Sequence, residues 1–360
     1  MAGVRRPAVD AVRPSPAPGA QAGISVLRSR AHPSMIADSP HAAGMPEGEQ
    51  VMSTADTRSP AEVRFTAGGL TLAGHLRLPD DHREAPVPGI VLTGPLTGVK
   101  EQVTGTYAAA LAEQGFATLA FDHRNFGASD GEPRQHEDAA GKRQDLLAAT
   151  SYLAGHPAVD ADRLAGVGVC LGASYALLHA CYDPRIRSLG LVAGGYNEAA
   201  AMRAGMGRDR YRQLLRDAAE ADARAQATGV VDYLAAVAAD GSEAIMGGEE
   251  PYAYYGTDRA VSPGWVNRVT RTTIRELVTL DATAALDLLA DTPTVVVHGR
   301  TDAYCTPEQA ASIHARLPGP KDLLWLDTTN HIELYDDPRF VAPTVERLTS
   351  WFRHHLTAGT

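Results

Sequence analysis

The chain of 360 residues is short of cysteine and of positive charge, and each shortage excludes something. Its three cysteines, Cys170, Cys181 and Cys305, have neither the paired spacing of a disulfide framework nor the C-x-x-C spacing of a zinc site. That usage favours a reducing compartment, and a cytoplasmic protein is expected. Lysine and arginine number 33 against 43 acidic residues, for a formal net charge of −10, and no basic cluster is sustained. Nucleic acid is therefore not expected as a partner. No apolar run approaches the roughly 20 residues of a membrane span, so no membrane association is expected. Neither a G-x-G-x-x-G fingerprint nor a phosphate-loop Lys-Ser/Thr pair occurs, and no His, Cys, Asp or Glu cluster has metal-ligand spacing, so no cofactor and no metal is expected.

What remains is a chain that is 44% hydrophobic, long enough for one large core or two smaller ones. Residues 1–60 are rich in Ala, Pro, Gly, Ser and Arg and read as a disordered tail, an over-long start or an Arg-bearing targeting segment. Alternation on both sides of Gly68-Gly69 reads as a β-hairpin. Apolar runs at 86–92, 117–121, 163–169, 187–193, 294–298 and 323–326 read as buried strands. Helical patterns lie between them, at about 138–154, from Cys170 to about Cys181, from Pro307, and at about 342–355 with Pro343 in the first turn. The alternation predicts a three-layer α/β sandwich on a mostly parallel sheet. The rhythm breaks over 196–277, which reads as an inserted, mainly helical cap dividing a core of 61–195 and 278–356. Its aromatics are either its own core or the substrate wall, and Tyr196, Tyr255 and Trp265 are the candidates for the second role, with Asn125 from the 122–131 loop.

One stretch organises the rest. Gly168-Val169-Cys170-Leu171-Gly172 reads as a strand end, one sharply turned residue and the start of a helix. A thiol lifted clear of the backbone at such a turn can act as a nucleophile, although a buried structural cysteine is the plainer reading. Asp302 and His331 each follow a later predicted strand, in the order nucleophile, acid, histidine. Each has an ordinary alternative, a turn-forming aspartate or a loop histidine. Ser174, one turn past Cys170, reads as a helix-packing residue, Cys181 as core, and Cys305 as a semi-buried loop cysteine.

On these residues the sequence resembles the α/β-hydrolase superfamily over about 62–355. The matching pieces are Gly94–Gln102, Phe121–Ser129, the Cys170 turn, Gly299–Asp302 and Asn330–Tyr335. It is similar to capped bacterial members allied to dienelactone hydrolases and to X-Pro dipeptidyl-peptidase-like (S15-like) hydrolases. The resemblance implies Cys170 as nucleophile, Asp302 as orienting acid and His331 as base. It implies an oxyanion hole from the Leu171 N–H and one donor of the Gly94–Thr97 loop, Leu96 first and Thr97 second. Most members carry Ser where this chain has Cys170, and His where it has Gly94. The expected activity is cleavage of an ester, thioester or lactone through an acyl-cysteine. The alternatives are an acyltransferase or thioesterase on polyketide-type acyl groups, and a non-catalytic small-molecule binding protein. The expected partners are a small acyl substrate and an acyl-carrier or CoA thioester donor; pairing into a homodimer stays open.

Overall fold

The structure is a computed structural model that describes residues 59–80 and 85–357. The expectation for residues 1–60 falls, apart from Ser59 and Pro60, outside the described residues.

An eight-stranded sheet forms the centre. The hairpin of β1 (Ala61–Ala67) and β2 (Leu70–Arg77) is antiparallel and turns at Gly68-Gly69, both with positive φ. Six parallel strands follow: β3 (Val87–Thr93), β4 (Ala117–Phe121), β5 (Val159–Val169), β6 (Ile186–Val192), β10 (Thr294–Gly299) and β11 (Lys321–Leu326). The order across the sheet is β1-β2-β4-β3-β5-β6-β10-β11. The chain therefore winds outward from β3 in two directions, and the carboxyl ends of β3 and β5 lie side by side, with Thr93 in register with Gly168. Such a reversal of strand order is where open α/β sheets hold ligands.

Helices cover both faces, which is why the central strands read as unbroken apolar runs. Val295, Val296 and Val297 are all fully buried. Helix α1 (Val103–Glu113) packs with α10 (Pro338–His355), and α2 (Ala139–Ala154) with α3 (Gly172–Tyr182). Helix α3 is buried on every side from Gly172 to Cys181, as expected of a helix wedged between layers rather than lying along a surface. Helix α10 starts earlier than its pattern implied. Asp337 accepts from the Arg339 N–H and caps a helix whose first turn contains Pro338, leaving Pro343 inside the helix.

Between β6 and β10, which are neighbours in the sheet, runs an insertion. It holds α4 (Ala199–Met206), α5 (Arg208–Thr228), β7 (Tyr233–Ala238), β8 (Ala244–Gly247), α6 (Glu249–Tyr255), β9 (Val269–Thr270) and α7 (Thr273–Thr279). The segment read as a helical cap thus also contains a three-stranded sheet of order β8-β7-β9. Its strands are short, and the Ala-rich Tyr233–Ala238 run has no strong strand signature. The remaining helices are α8 (Pro307–Arg316), with Thr306 as its cap, and the single turn α9 (Glu333–Asp336).

Candidate active site

Cys170 is the residue between β5 and α3, and its φ of +55° is one that side chains other than glycine rarely adopt. The strain is held by bonds on both sides: Cys170 N–H donates to Val192 O at 3.0 Å, and Cys170 O accepts from Ala173 and Gly195. The flanking glycines are a steric requirement. A Cβ at Gly168 would lie 2.4 Å from Gly172 O, and one at Gly172 would lie 2.2 Å from Thr93 O. Only a chain without side chains there lets α3 start so close behind the sheet.

His331 follows β11, and its Nδ1 is 2.6 Å from Asp302 Oδ2. The other carboxylate oxygen, Oδ1, accepts from the N–H groups of Tyr304 and Cys305, both at 2.8 Å. Asp302 is thereby fixed in orientation toward the ring. A Cys170 Sγ, a Cys305 Sγ and a His331 ring nitrogen all lie within 4.8 Å of one another. His331 Nε2 is 3.0 Å from the Tyr335 hydroxyl. Cys170 and Asp302 thus both lie near the His331 ring.

The electrostatics favour a charge pair. A hydrogen bond from the Cys305 thiol, with the nearby His331 charge and the Tyr335 hydroxyl acting the same way against burial, holds the Cys170 pKa well below that of an ordinary thiol. Burial works against a charge on His331, yet the Asp302 carboxylate and the Cys170 thiolate hold its pKa well above the ordinary imidazole value. The thiol of Cys305, which keeps its proton beside the Cys170 thiolate, is pushed well up. Cys181, read as core, is buried, and burial pushes its thiol up to about 11.

A cavity of about 120 Å³ opens beside Cys170. Leu96 and Leu171 line it from the core, and Met202, Met246, Pro251, Tyr255 and Leu277 from the insertion. Among the described residues, neither the Leu96 nor the Leu171 N–H is used in a hydrogen bond. Thr97, at φ +62°, turns its hydroxyl to accept from Trp265 Nε1 at 3.2 Å.

The four side chains read as substrate wall divide. Tyr255 lines the cavity, and Trp265 stacks on its ring at 5.4 Å, one layer behind. Tyr196 is buried against Gly194, outside the lining. Asn125 does not belong to the wall. At φ +71° it is folded into its own loop, donating to His136 O and bonding Asp130 and Gln135 through its backbone, because the turn needs an Asx-type residue there. His123 likewise serves the loop, between Thr93 and Asp145, and Arg124 pairs with Asp145 at 2.8 Å. Lys100 and Glu101 form an ion pair, but Lys100 also reaches the fully buried Asp122, so the contact is interior. Ser174 donates to Gly195 O and is a packing residue.

One participant had no signature in the sequence. Glu250, on α6 of the insertion, accepts the main-chain N–H of His331 at 2.5 Å and of Ile332 at 3.1 Å. The two partners are separated by 81 residues, and a surface-type "Gly-Gly-Glu-Glu" run gives no hint of the contact.

The chain's likenesses agree with this architecture. A profile of the family described as "Serine aminopeptidase, S33" matches residues 101–338. The "Uncharacterized protein YcjY" of Escherichia coli is 31% identical over 280 residues, covering 74% of this chain and 88% of that protein. The "Acyltransferase drtE" of Aspergillus calidoustus is 29% identical over 74% of this chain and 86% of its own. The crystal structure of hypothetical protein PA2218 from Pseudomonas aeruginosa superposes with a TM-score of 0.74 at 26% identity, over 86% of this chain and all of that one. With the sheet order, the turn at Cys170 and a family match over most of its length, the chain belongs to the serine aminopeptidase S33 family of α/β hydrolases and is an enzyme of hydrolase or acyltransferase type.

Proposed function

We propose that the enzyme transfers acyl groups through a thioester on Cys170, with His331 as acid and base and Asp302 as the residue that orients it. The observation that carries this reading is the 2.6 Å bond from His331 to Asp302 beside a thiol held at a strained turn. In the resting pair the thiolate carries the negative charge and the imidazolium the positive one. The thiolate attacks the carbonyl carbon of an ester, thioester or lactone, and the carbonyl oxygen becomes an oxyanion. The N–H groups of Leu171 and Leu96 stabilise it, each worth roughly 3 kcal/mol in such sites. As the tetrahedral adduct collapses, His331 gives its proton to the departing alkoxide or thiolate, and the acyl group remains on sulfur. His331, now neutral, takes a proton from the incoming acceptor, which attacks the thioester and frees Cys170. A thiolate expels an alkoxide or another thiolate more readily than an amide nitrogen, so ester-type substrates rank above peptides, although the family is described as an aminopeptidase.

Water is the acceptor in the first reading. The second is transfer to an alcohol or amine, and two observations favour it: a relative is named an acyltransferase, and the insertion supplies apolar residues to the cavity wall that limit water. The acyl group enters as a small ester or lactone, or on an acyl carrier or CoA. Intact-mass measurement after incubation with short esters, lactones and acyl thioesters tests the reading. An acyl adduct on the wild type that is absent from C170A is expected; an adduct on C170A as well would overturn it. Product analysis with and without an added acceptor separates the two readings.

A further inference from the structure

The site holds more soft ligands than an acyl-transfer cycle needs. Cys305 makes and breaks no covalent bond in the chemistry above, yet its Sγ lies 3.9 Å from that of Cys170, on a loop that follows a different strand. We propose that Cys170, Cys305 and His331 together form a binding site for a soft divalent cation of the Zn²⁺ type, which silences the enzyme by occupying its thiolate and its base. That the cation inhibits rests on the function proposed above; that it binds does not.

The geometry is close to what such an ion imposes. With zinc–sulfur bonds of about 2.3 Å, two sulfurs in a tetrahedral shell are about 3.8 Å apart. The two Sγ atoms already have that separation to within 0.1 to 0.2 Å. A His331 ring nitrogen lies within 4.8 Å of both, near enough to complete the set. Asp302 on Nδ1 fixes the ring so that Nε2 is the free ligand, the carboxylate–histidine arrangement found behind zinc-bound imidazoles. Tyr335 has to release its 3.0 Å bond to Nε2 as the ion enters. The adjoining cavity leaves the fourth position to water. Two thiolates and an imidazole select against Mg²⁺ and Ca²⁺, which prefer oxygen. Two protons leave for solvent on binding, one from Cys305 and one from the His331 imidazolium, and the ion takes their place as the counter-charge. The three ligands come from the ends of β5, β10 and β11. The expectation of no metal was drawn from local spacing, which a site assembled across a sheet does not display.

Co²⁺ titration of the reduced, chelator-treated full chain tests this by absorption. The expected result is a 1:1 complex with strong tetrahedral visible bands and a thiolate charge-transfer band, displaced by Zn²⁺. Affinity should fall more than about 100-fold in C305A and in H331A and be unchanged in C181A. In the wild type, Zn²⁺ should protect both Cys170 and Cys305 from iodoacetamide, read peptide by peptide, which needs no variant to fold. Weak octahedral bands only, or equal affinity in C305A, or protection of neither cysteine, would overturn the site. A thioester assay run in the same titration separates the two ideas. The tetrahedral spectrum with undiminished turnover overturns inhibition and the role given to Cys170; falling turnover without the spectrum overturns the metal site and leaves that role standing.

Discussion

The sheet core and the insertion contribute to the same cavity by different means. The core presents Cys170, Asp302 and His331 at the ends of β5, β10 and β11, where backbone bonds and steric contact leave little freedom. The insertion presents mostly apolar side chains to the cavity wall, and reaches the core through the bonds from Glu250 to the His331 main chain and from Trp265 to Thr97. The contrast teaches a division of labour: under the proposed function, the bond-making groups sit on the sheet frame and the insertion shapes the cavity wall.

That division is open to attack, first in the core. C170A should abolish acylation and lower turnover by on the order of 10⁴-fold or more, and D302N should cost a similar factor by leaving the imidazole in the wrong tautomer. A loss below tenfold in either would place the chemistry elsewhere. The rate of Cys170 alkylation should already be on its plateau at neutral pH, since its pKa is depressed, whereas Cys181, pushed up to about 11, should still be gaining rate there. A common pH profile for the two would refute the charge pair.

A second test concerns the stability of the core alone. His179, on α3, is bonded to Thr150, and burial draws its pKa down to about 4. The unfolded chain binds that proton near pH 6.5, so the native state loses stability as pH falls from about 6.5 towards 4, by up to about 3 kcal/mol. H179Q, which keeps a partner for Thr150, should flatten that part of the pH–stability curve; urea titrations at pH 7 and pH 4.5 give the comparison.

Effects from the insertion should be smaller. E250A removes the acceptor of the His331 and Ile332 N–H groups and should lower kcat about tenfold with little change in KM. W265A should raise KM for bulky acyl groups roughly fivefold through loss of the ring behind Tyr255, while Cys170 alkylation by iodoacetamide stays at the wild-type rate. If W265A slowed Cys170 alkylation, the insertion would be part of the frame after all.

The same contrast explains what the sequence disclosed. Cys170, Asp302 and His331 were legible because strand ends and a G-x-C-x-G turn are written in local pattern, and buried parallel strands announce themselves as apolar runs. Strands β7, β8 and β9 were not, since they are two to six residues long and Ala-rich or isolated. Asn125 looked available for substrate because loop polarity says nothing about a positive φ that turns the residue into its own loop. Glu250 and the Cys170–Cys305 approach span 81 and 135 residues, and contacts of that range are fixed by packing rather than by pattern.

Glu250 also joins the two regions. Its carboxylate grips the main chain of His331 while Asp302 grips the ring, so the histidine is held from the frame on one side and from α6 on the other. Under the proposed function, a substrate that pushed α6 outward would draw the imidazole away from Cys170, and one that seated α6 would leave the alignment intact. Discrimination between acyl groups would then register in the speed of proton transfer rather than in occupancy, and a poor substrate would be a competitive occupant, bound and left unreacted.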